Sequence, residues 1–313
     1  MQSVTNQTAA SLSAGLYVVG TPIGNLGDIT LRALEVLRQA DIICAEDTRV
    51  SKRLLQAYGI TTHTVSVYAH NEAEMAKKIV SWIASGKVVA QVTDAGTPSI
   101  CDPGSRLVHA VRQAKQQVYA IPGACALISA LSVSGWQADQ FYFAGFLPAN
   151  QRQRDNCLHQ IADQNQLVIA YETPHRISKT LAAIEHTMPN RSLLLLRELT
   201  KCFESAICGT AYELKQYLIM NPVQHKGEMV LLFAASSTSA KNELTLPVEL
   251  KKVAKELATF LPLKKVVSLL AELMVFNKKT LYQYLLTKQN SSVLNQDHSS
   301  NNGNEMISDM QNM

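Results

Sequence analysis

The sequence predicts an α/β protein with two α/β domains and a small C-terminal helical module, and three observations carry this prediction. From residue 16 onward, short β-rich runs alternate with longer amphipathic stretches, which is typical of an α/β domain with a largely parallel sheet. The chain has 313 residues, enough for about two domains. Hydrophobic residues make up 47% and charged residues 17%, so the chain can bury a large core.

Nine short runs rich in apolar and β-branched residues are predicted strands. They are residues 16–19, 42–45, 64–67, 88–92, 118–121, 141–143, 167–171, 193–197 and 229–234. Because nine strands are too many for one half of the chain, we place a boundary in the 123–136 segment. The predicted domains are an N-terminal α/β domain over residues 15–123 with five strands and a C-terminal α/β domain over 124–237 with four.

The stretches between strands predict amphipathic helices. The first begins after Asp28, a good N-cap, and carries Leu31, Leu34, Val36 and Leu37 on one apolar face. Similar patterns predict helices over 72–83, 104–113 and 178–187.

The two ends of the chain differ from its middle. Residues 1–14 are polar, uncharged and predicted to be disordered, without the features of a secretory signal, and no apolar run reaches the roughly 20 residues that span a bilayer. A serine-rich linker at 236–239 is followed by a predicted basic helical module over residues 248–288. Pro262 separates its first two helices, and the second of these contains Val266, Val267, Leu270 and Leu273. A third short helix is predicted around Leu281. The tail 291–313 is predicted to be disordered. We expect a cytoplasmic protein.

Charge and cysteine content exclude several classes of protein. The net charge of +4 excludes a highly basic coat protein, yet residues 241–290 hold nine lysines against four acidic residues, which concentrates positive charge in the helical module. The six cysteines form no C-x-x-C pair and are interpreted as reduced core thiols. No zinc spacing and no G-x-S-x-G elbow occur, so neither a metal site nor acyl transfer is expected.

Four loops after predicted strands have unusual composition, and ligands of open α/β sheets bind at this edge. Loop 20–27 (GTPIGNLG) lacks dinucleotide and P-loop spacing, so a plain turn stays open as its interpretation. Loop 93–104 has two prolines and two glycines, with Asp94 and Thr97 as polar anchors, although a tight turn with helix caps would also explain it. Small residues in 122–127 would let a flat aromatic ligand approach the backbone, and 172–176 (ETPHR) is a polar cluster.

Two further polar groups stand near predicted strand ends. Residues 46–49 (EDTR) directly follow the second strand, and His70 and Asn71 precede a helix. They could simply cap the following helices. Their clustering on the same sheet edge as the other loops favours a functional role.

Seven ordered motifs together closely resemble the small-subunit ribosomal RNA methyltransferases of the tetrapyrrole methylase-like superfamily, which are class III methyltransferases. They lie at 17–26 (YVVGTPIGNL), 28–34 (DITLRAL), 45–49 (AEDTR), 94–98 (DAGTP), 102–104 (DPG), 172–176 (ETPHR) and 197–201 (RELTK). The resemblance covers about residues 15–288. Thr93 and Thr173 stand where this family usually has serine, and Ala124 and Cys125 replace a common Pro-Ser.

The resemblance implies a reaction, a cofactor and partners. S-adenosylmethionine would be the methyl donor, bound in the cleft between two α/β domains, and the ribose 2′-hydroxyl of a decoding-centre cytidine in 16S rRNA of the small ribosomal subunit would be the acceptor. It also implies a homodimer. Neither a membrane nor DNA is expected as a partner.

The resemblance also assigns residues. It implies a cofactor site made of Asp94, Ala95, Gly96, Thr97, Ile100, Cys125, Ala126, Leu127 and Glu172. A ribose hydroxyl needs a proton acceptor, for which the candidates are Glu46, Asp47 and His70. The candidate RNA-binding residues are Asn25, Arg49, Asn71, Arg176 and Lys201.

Two alternative functions stay open. A relative that methylates a small tetrapyrrole-like molecule would not require the 46–49 motif or the basic module. A non-enzymatic ribosome-assembly factor that binds RNA would not need a cofactor pocket.

Overall fold

The computed structural model describes residues 11–235, 253, 256–258 and 260–274. The chain divides into two compact units, Met1–Ser236 and Ser237–Met313. Several predicted segments lie outside the described residues: the linker at 236–239, the short helix around Leu281, the tail 291–313 and residues 1–10 of the predicted disordered N-terminus. Of the rest of that terminus, Leu12 packs against the core and the Ser13 carbonyl accepts a hydrogen bond from the Tyr17 hydroxyl, 2.9 Å.

The first sheet has five parallel strands in the order β3-β2-β4-β1-β5. They are β1 (Gly15–Val19), β2 (Ile42–Ala45), β3 (Thr64–Ser66), β4 (Val88–Val92) and β5 (Val118–Ile121). The central strand β4 is buried along its whole length, as expected for a parallel strand covered on both faces. All five strands end at one edge, where three of the four loops with unusual composition begin: 20–27, 93–104 and 122–127.

Four helices cover the two faces of the first sheet. They are α1 (Leu31–Gln39), α2 (Thr48–Ala57), α3 (Glu72–Ala84) and α4 (Ser105–Gln113). Apolar residues of α1 and α2 pack on one face and those of α3 and α4 on the other. The predicted N-cap was wrong: Thr30, not Asp28, caps α1 by accepting a hydrogen bond from the Ala33 amide, because Asp28 belongs to a short 3-10 helix over Leu26–Asp28.

The second sheet has the order β6-β7-β10-β8-β9. Its strands are β6 (Phe141–Phe146), β7 (Leu167–Glu172), β8 (Leu193–Arg197), β9 (Ser205–Gly209) and β10 (Met229–Phe233). Only β6 and β7 pair in parallel, and the other pairs are antiparallel, so the expectation of a largely parallel sheet is wrong for this half. The sequence predicted nine of the ten strands and missed β9, an edge strand made mostly of small residues.

Four helices pack on the second sheet: α5 (Ala126–Val133), α6 (Gln151–Ala162), α7 (Ile177–Thr187) and α8 (Ala211–Met220). In the C-terminal unit, one further helix is described, α9 (Leu263–Met274). Helices α6, α7 and α8 share one apolar cluster, whereas α5 covers the opposite face. In α9, the predicted apolar positions Val266, Val267 and Leu270 are buried.

The six cysteines are free thiols, but most of them do not lie in the core as predicted. Only Cys44 is buried, and its burial raises the pKa of the thiol to about 12. Cys101, Cys202 and Cys208 are exposed. Lone cysteines resemble small core residues in sequence, and several of these occupy loops or the edge strand instead.

Candidate functional site

A cavity of about 410 Å³ lies where loops from the carboxyl edge of the first sheet meet loops and strand ends of the second sheet. Both sheets belong to the compact unit Met1–Ser236. We call this cavity the pocket. It is lined by Ile23, Glu46, Asp94, Ala95, Gly96, Thr97, Ile100, Cys101, Asp102, Cys125, Ala126, Phe146, Tyr171, Glu172, Thr173, Pro174, Leu199, Glu228, Met229 and Val230.

The loop after β4 forms one wall of the pocket and is held in place by backbone and hydroxyl contacts. Thr21 and Gly96 exchange backbone hydrogen bonds of 2.8 and 3.1 Å. The hydroxyl of Thr97 donates to the carbonyl of Ala124 at 3.1 Å, which ties this loop to the segment leading into α5. Gly96 has a φ of +86°, a conformation that glycine adopts without steric cost. The loop is therefore fixed before any ligand arrives.

Two pocket residues sit between neighbours with left-handed backbone conformations. Ile100 lies between Ser99 (φ +72°) and Cys101 (φ +63°). In the loop after β8, Leu199 lies between Glu198 (φ +52°) and Thr200 (φ +67°). Non-glycine residues rarely adopt positive φ, and such strain concentrates at functional sites. In both loops, two residues with positive φ flank an apolar side chain that lines the pocket.

The pocket is acidic: among the described residues, five carboxylates line it and no lysine, arginine or histidine does. Two of the five have a cationic partner, since Glu172 pairs with Arg176 at 3.1 Å and Glu228 with Lys201 at 3.1 Å, a lysine that also pairs with Glu198 at 3.0 Å. Glu46, Asp94 and Asp102 form no ion pair with any described residue. The pocket therefore favours a positively charged ligand.

Two of the unpaired carboxylates meet at one hydroxyl. The Thr93 hydroxyl oxygen lies 2.8 Å from Oε2 of Glu46 and 2.9 Å from Oδ2 of Asp102. A hydroxyl has a single proton, so it donates to one carboxylate, and the second contact is favourable only if the other carboxyl group donates a proton of its own. Burial, followed by the charges of Glu46 and Asp94, raises the pKa of Asp102. The Thr93 hydroxyl therefore joins the Glu46 and Asp102 carboxyl groups at one point of the pocket.

The second sheet supplies most of the apolar wall of the pocket. Phe146 packs edge-on against Tyr171 with ring centroids 5.3 Å apart. The Tyr171 hydroxyl accepts a hydrogen bond from the Leu127 amide at 3.1 Å, and its burial raises the pKa of this phenol above the usual range. Met229 and Val230, at the start of β10, complete this side.

The pocket brings together eight of the nine residues predicted to bind a cofactor. These are Asp94, Ala95, Gly96, Thr97, Ile100, Cys125, Ala126 and Glu172. Leu127 does not line it, because its side chain is buried in the apolar cluster under α5. As the second residue of α5, Leu127 faces the sheet while its two predecessors face the cavity.

Of the three candidate proton acceptors, only Glu46 lines the pocket. Asp47 instead caps α2 by accepting from the Arg49 amide at 2.8 Å, and hydrogen bonds from Arg49 lower the pKa of its carboxyl to about 2. His70 is exposed, with its ring edge-on to Tyr68. Sequence adjacency to strand ends did not distinguish a pocket residue from a helix cap.

The predicted RNA-binding residues lie outside the pocket lining. The side chains of Asn25 and Asn71 form hydrogen bonds with nearby backbone groups. The Arg49 side chain is 88% exposed but pairs with Asp47 at 2.7 Å. Arg176 and Lys201 are the two cations that neutralise pocket carboxylates.

Sequence reasoning missed several pocket residues. Asp102 belongs to the 102–104 motif and Thr93 directly precedes the 94–98 motif, but nothing in the sequence showed that one hydroxyl joins two carboxylates. Tyr171 looked like an ordinary strand residue, and Phe146 lay beyond the predicted strand over 141–143. Among the described residues, no cluster of three His, Cys, Asp or Glu side chains could hold a metal ion. None of the helices described has both the length and the apolar character needed to cross a membrane.

Comparison with known proteins shows close relatives over most of the chain. A "Ribosomal RNA small subunit methyltransferase I" from Neisseria meningitidis serogroup B is 46% identical over 275 residues, which cover 88% of this chain and 94% of the relative. Proteins with the same name from Pasteurella multocida and Escherichia coli O157:H7 are 43% and 39% identical, covering 88% and 91% of this chain and 97% and 99% of theirs.

Solved structures share the fold at low sequence identity. Diphthine synthase has a TM-score of 0.55 at 14% identity, covering 70% of this chain and 89% of its own. The methyltransferase CobJ has a TM-score of 0.54 at 18% identity, covering 72% of this chain and 95% of its own. The family model of the Tetrapyrrole (Corrin/Porphyrin) Methylases matches residues 15–215. The chain is therefore a methyltransferase that belongs to the tetrapyrrole methylase family and, within it, groups with the relatives named ribosomal RNA small subunit methyltransferase I.

Proposed function

We propose that this methyltransferase transfers the methyl group of S-adenosylmethionine to the ribose 2′-hydroxyl of a decoding-centre cytidine in 16S rRNA of the small ribosomal subunit, in the cytoplasm. The observation that carries the proposal is the acidic pocket among the motif loops, in a chain whose relatives are named for small-subunit ribosomal RNA. A small tetrapyrrole-like substrate has no such support from the relatives' names.

The chemistry of the lining fits this donor. S-adenosylmethionine is a sulfonium cation, and three carboxylates of the pocket, Glu46, Asp94 and Asp102, have no cationic partner among the described residues. Its flat adenine needs an apolar surface, which Phe146, Met229 and the small residues around Ala126 offer. When bound, the donor supplies a methyl carbon whose bond to sulfur breaks as a bond to the ribose oxygen forms.

We infer that Glu46 accepts the proton that the ribose hydroxyl loses in this step. Its carboxylate lines the pocket and receives the Thr93 hydroxyl at 2.8 Å. Thr93 and Asp102 are positioning residues, since the Thr93 hydroxyl lies within hydrogen-bond distance of both carboxyl groups and so fixes the Glu46 carboxylate relative to Asp102. Proton acceptance by a positioned carboxylate contributes about 10²–10⁴-fold to such rates.

We also propose a homodimer, as the family resemblance implies. Large apolar side chains are exposed on α5 and β6: Ile128 at 53%, Val133 at 56% and Phe146 at 52%. Strand β6 is an edge strand whose outer side has no partner strand among the described residues. A second copy covering α5 and β6 would remove this apolar surface from water.

The test of the function is a reaction with purified small ribosomal subunits from cells that lack this protein. Protein and S-adenosylmethionine are added, and 16S rRNA nucleosides are analysed by mass spectrometry. We expect one additional 2′-O-methylcytidine, and none with the Asp94→Ala/Thr97→Ala variant, which calorimetry should show to bind the donor weakly. A methyl group on a base, or on no nucleoside, contradicts the proposal.

A further inference from the structure

A second cavity, of about 570 Å³, runs between helices α6 and α7 on the second sheet. We call it the α6–α7 groove. It is lined by Gln151, Arg154, Asp155, His159, Lys179, Ala182, Ala183, His186 and Thr187. A shallower cavity beside it shares Gln151, Asp155 and His159 and adds Arg152.

Positive charge dominates the α6–α7 groove and its margin. Arg152, Arg154 and Lys179 carry three positive charges against the single negative charge of Asp155. None of these four side chains forms an ion pair with a described residue, and Arg152 and Lys179 are exposed. Cations without an intramolecular partner are free to pair with an external anion.

Arg154 points to a ligand most directly, because it is only 5% exposed. Its guanidinium makes one hydrogen bond, from Nη1 to the Ala149 carbonyl at 3.4 Å, and its buried Nε has no partner among the described residues. A buried charge without a counter-charge is costly, and a guanidinium has the donor geometry for phosphate oxygens. We propose that the α6–α7 groove binds phosphates of the RNA backbone, a step that rests on the proposed RNA substrate.

The groove is better suited to this role than the cations selected from the sequence. Arg49, Arg176 and Lys201 all donate to carboxylates of the protein and would have to exchange those partners for phosphate. Lys179 follows Arg176 by three residues on α7, and Arg176 pairs with Glu172 in the pocket lining. Lys179, at one end of the groove, therefore lies about one helical turn along the chain from Arg176, and residues 179–186 extend for about 10 Å along α7. We expect an RNA strand whose ribose enters the pocket to continue along this helix.

The experiment measures binding of the full chain to small ribosomal subunits at several salt concentrations. The groove variant is Arg152→Glu/Lys179→Glu, and the matched control is Lys87→Glu/Arg112→Glu, which reverses two exposed cations of the first sheet that also lack ion pairs. We expect the groove variant to bind at least tenfold more weakly at low salt, with the slope of log K against log salt reduced by about 1–2, and the control to change less than threefold. Arg154→Gln, checked for folding by its Tm, should weaken binding in the same direction.

Calorimetry with S-adenosylmethionine separates the two proposals. Unchanged donor binding by the groove variant, together with weaker subunit binding, supports the groove. Equal losses in the groove variant and the control, or an unchanged salt slope, overturn it. If the wild type binds subunits through the groove but methylates no ribose, the proposed reaction fails while the groove stands. If the wild type does not bind subunits, both fail.

Discussion

The two sheets contribute different chemistry to the pocket. The first-sheet part (residues 11–123) supplies Glu46, Asp94 and Asp102, none of which is neutralised by a described cation. The second-sheet part (residues 124–235) supplies Glu172 and Glu228, each paired with a cation, along with both aromatic side chains and most of the apolar surface. Negative potential thus comes from one side of the pocket, and shape and apolar surface from the other.

This difference follows from how the two sheets are built. In the parallel sheet, every strand delivers its loop to the same edge, so Glu46 after β2 and Asp94 after β4 converge although 47 residues separate them along the chain. In the mixed sheet, antiparallel neighbours place the start of β10 beside the ends of β7 and β8. Carboxylates there meet the cations of adjacent loops and are neutralised.

The largest effect should come from Glu46→Gln, which removes the proposed proton acceptor and keeps its shape. We expect turnover at saturating donor to fall about 10²–10⁴-fold. Donor affinity should fall by no more than about tenfold, the loss expected from removing one unneutralised charge. The matched control is Glu228→Gln, a second-sheet carboxylate in the same pocket, which should keep turnover within a few-fold. Equal losses in single-turnover assays would mean that the two sides do not differ in the way we describe.

Next in size is the loss of stability from Glu172→Ala. Glu172 is 3% exposed and accepts hydrogen bonds from the Thr180 hydroxyl, the Thr173 amide and, as an ion pair, Arg176. Its removal leaves the Thr173 amide and the Thr180 hydroxyl without these acceptors and Arg176 without its counter-charge, and we expect the free energy of unfolding to fall by about 2–4 kcal/mol. Glu228→Ala, whose side chain is 73% exposed, should cost less than about 1 kcal/mol. Urea titrations of both variants measure the contrast.

A smaller effect is expected on donor affinity from Asp94→Asn. Removing an unneutralised charge that faces a sulfonium should weaken S-adenosylmethionine binding by about tenfold, or 1.4 kcal/mol. Glu228→Gln should change it less than twofold, because the Glu228 side chain is 73% exposed to solvent and already pairs with Lys201. Isothermal calorimetry at two salt concentrations tests this, and a salt-independent loss would point to packing instead of charge.

The smallest effect concerns Asp102 and depends on pH. Because the pKa of Asp102 is raised in the folded protein, mainly by burial and then by Glu46 and Asp94, its ionisation lowers stability as pH rises from its unfolded value through its folded value. Asp102→Asn avoids that penalty, so its Tm should exceed the wild type's by about 2 °C at pH 7, with no gain at pH 3. Turnover should stay within a few-fold, since the amide oxygen can still accept a hydrogen bond from the Thr93 hydroxyl. A lower Tm at pH 7 would contradict the raised pKa of Asp102.

Much of the fold could be predicted from periodicity, and the exceptions have physical reasons. Strands such as β4 and β8 are continuous apolar runs because both faces are buried. Strand β9 has no such run, since it lies at an edge and alternates small residues with Ile207. Antiparallel pairing in the second sheet depends on long-range contacts that local composition does not encode.

The site was partly predictable for a related reason. Motif loops at one parallel edge converge by topology, which is why eight of nine cofactor candidates line the pocket. Glu46 and Asp47 are neighbours in sequence, yet Glu46 lines the pocket whereas Asp47 caps α2. The α6–α7 groove carries no motif, because its cations become significant only when the structure shows which of them lack partners.

The left-handed residues around Ile100 and Leu199 have a consequence for how this enzyme could be altered. Glycine at 99, 101 or 200 would relieve a steric cost of about 1 kcal/mol at each site while releasing the neighbouring apolar residue. Position 198 differs, because the Glu198 carboxylate pairs with Lys201 and accepts a hydrogen bond from the Glu228 amide. A library selected for heat resistance would tolerate or gather glycines at the first three positions. A library selected for turnover would reject these glycines, so at these two loops a gain in thermal stability would come with a loss of turnover.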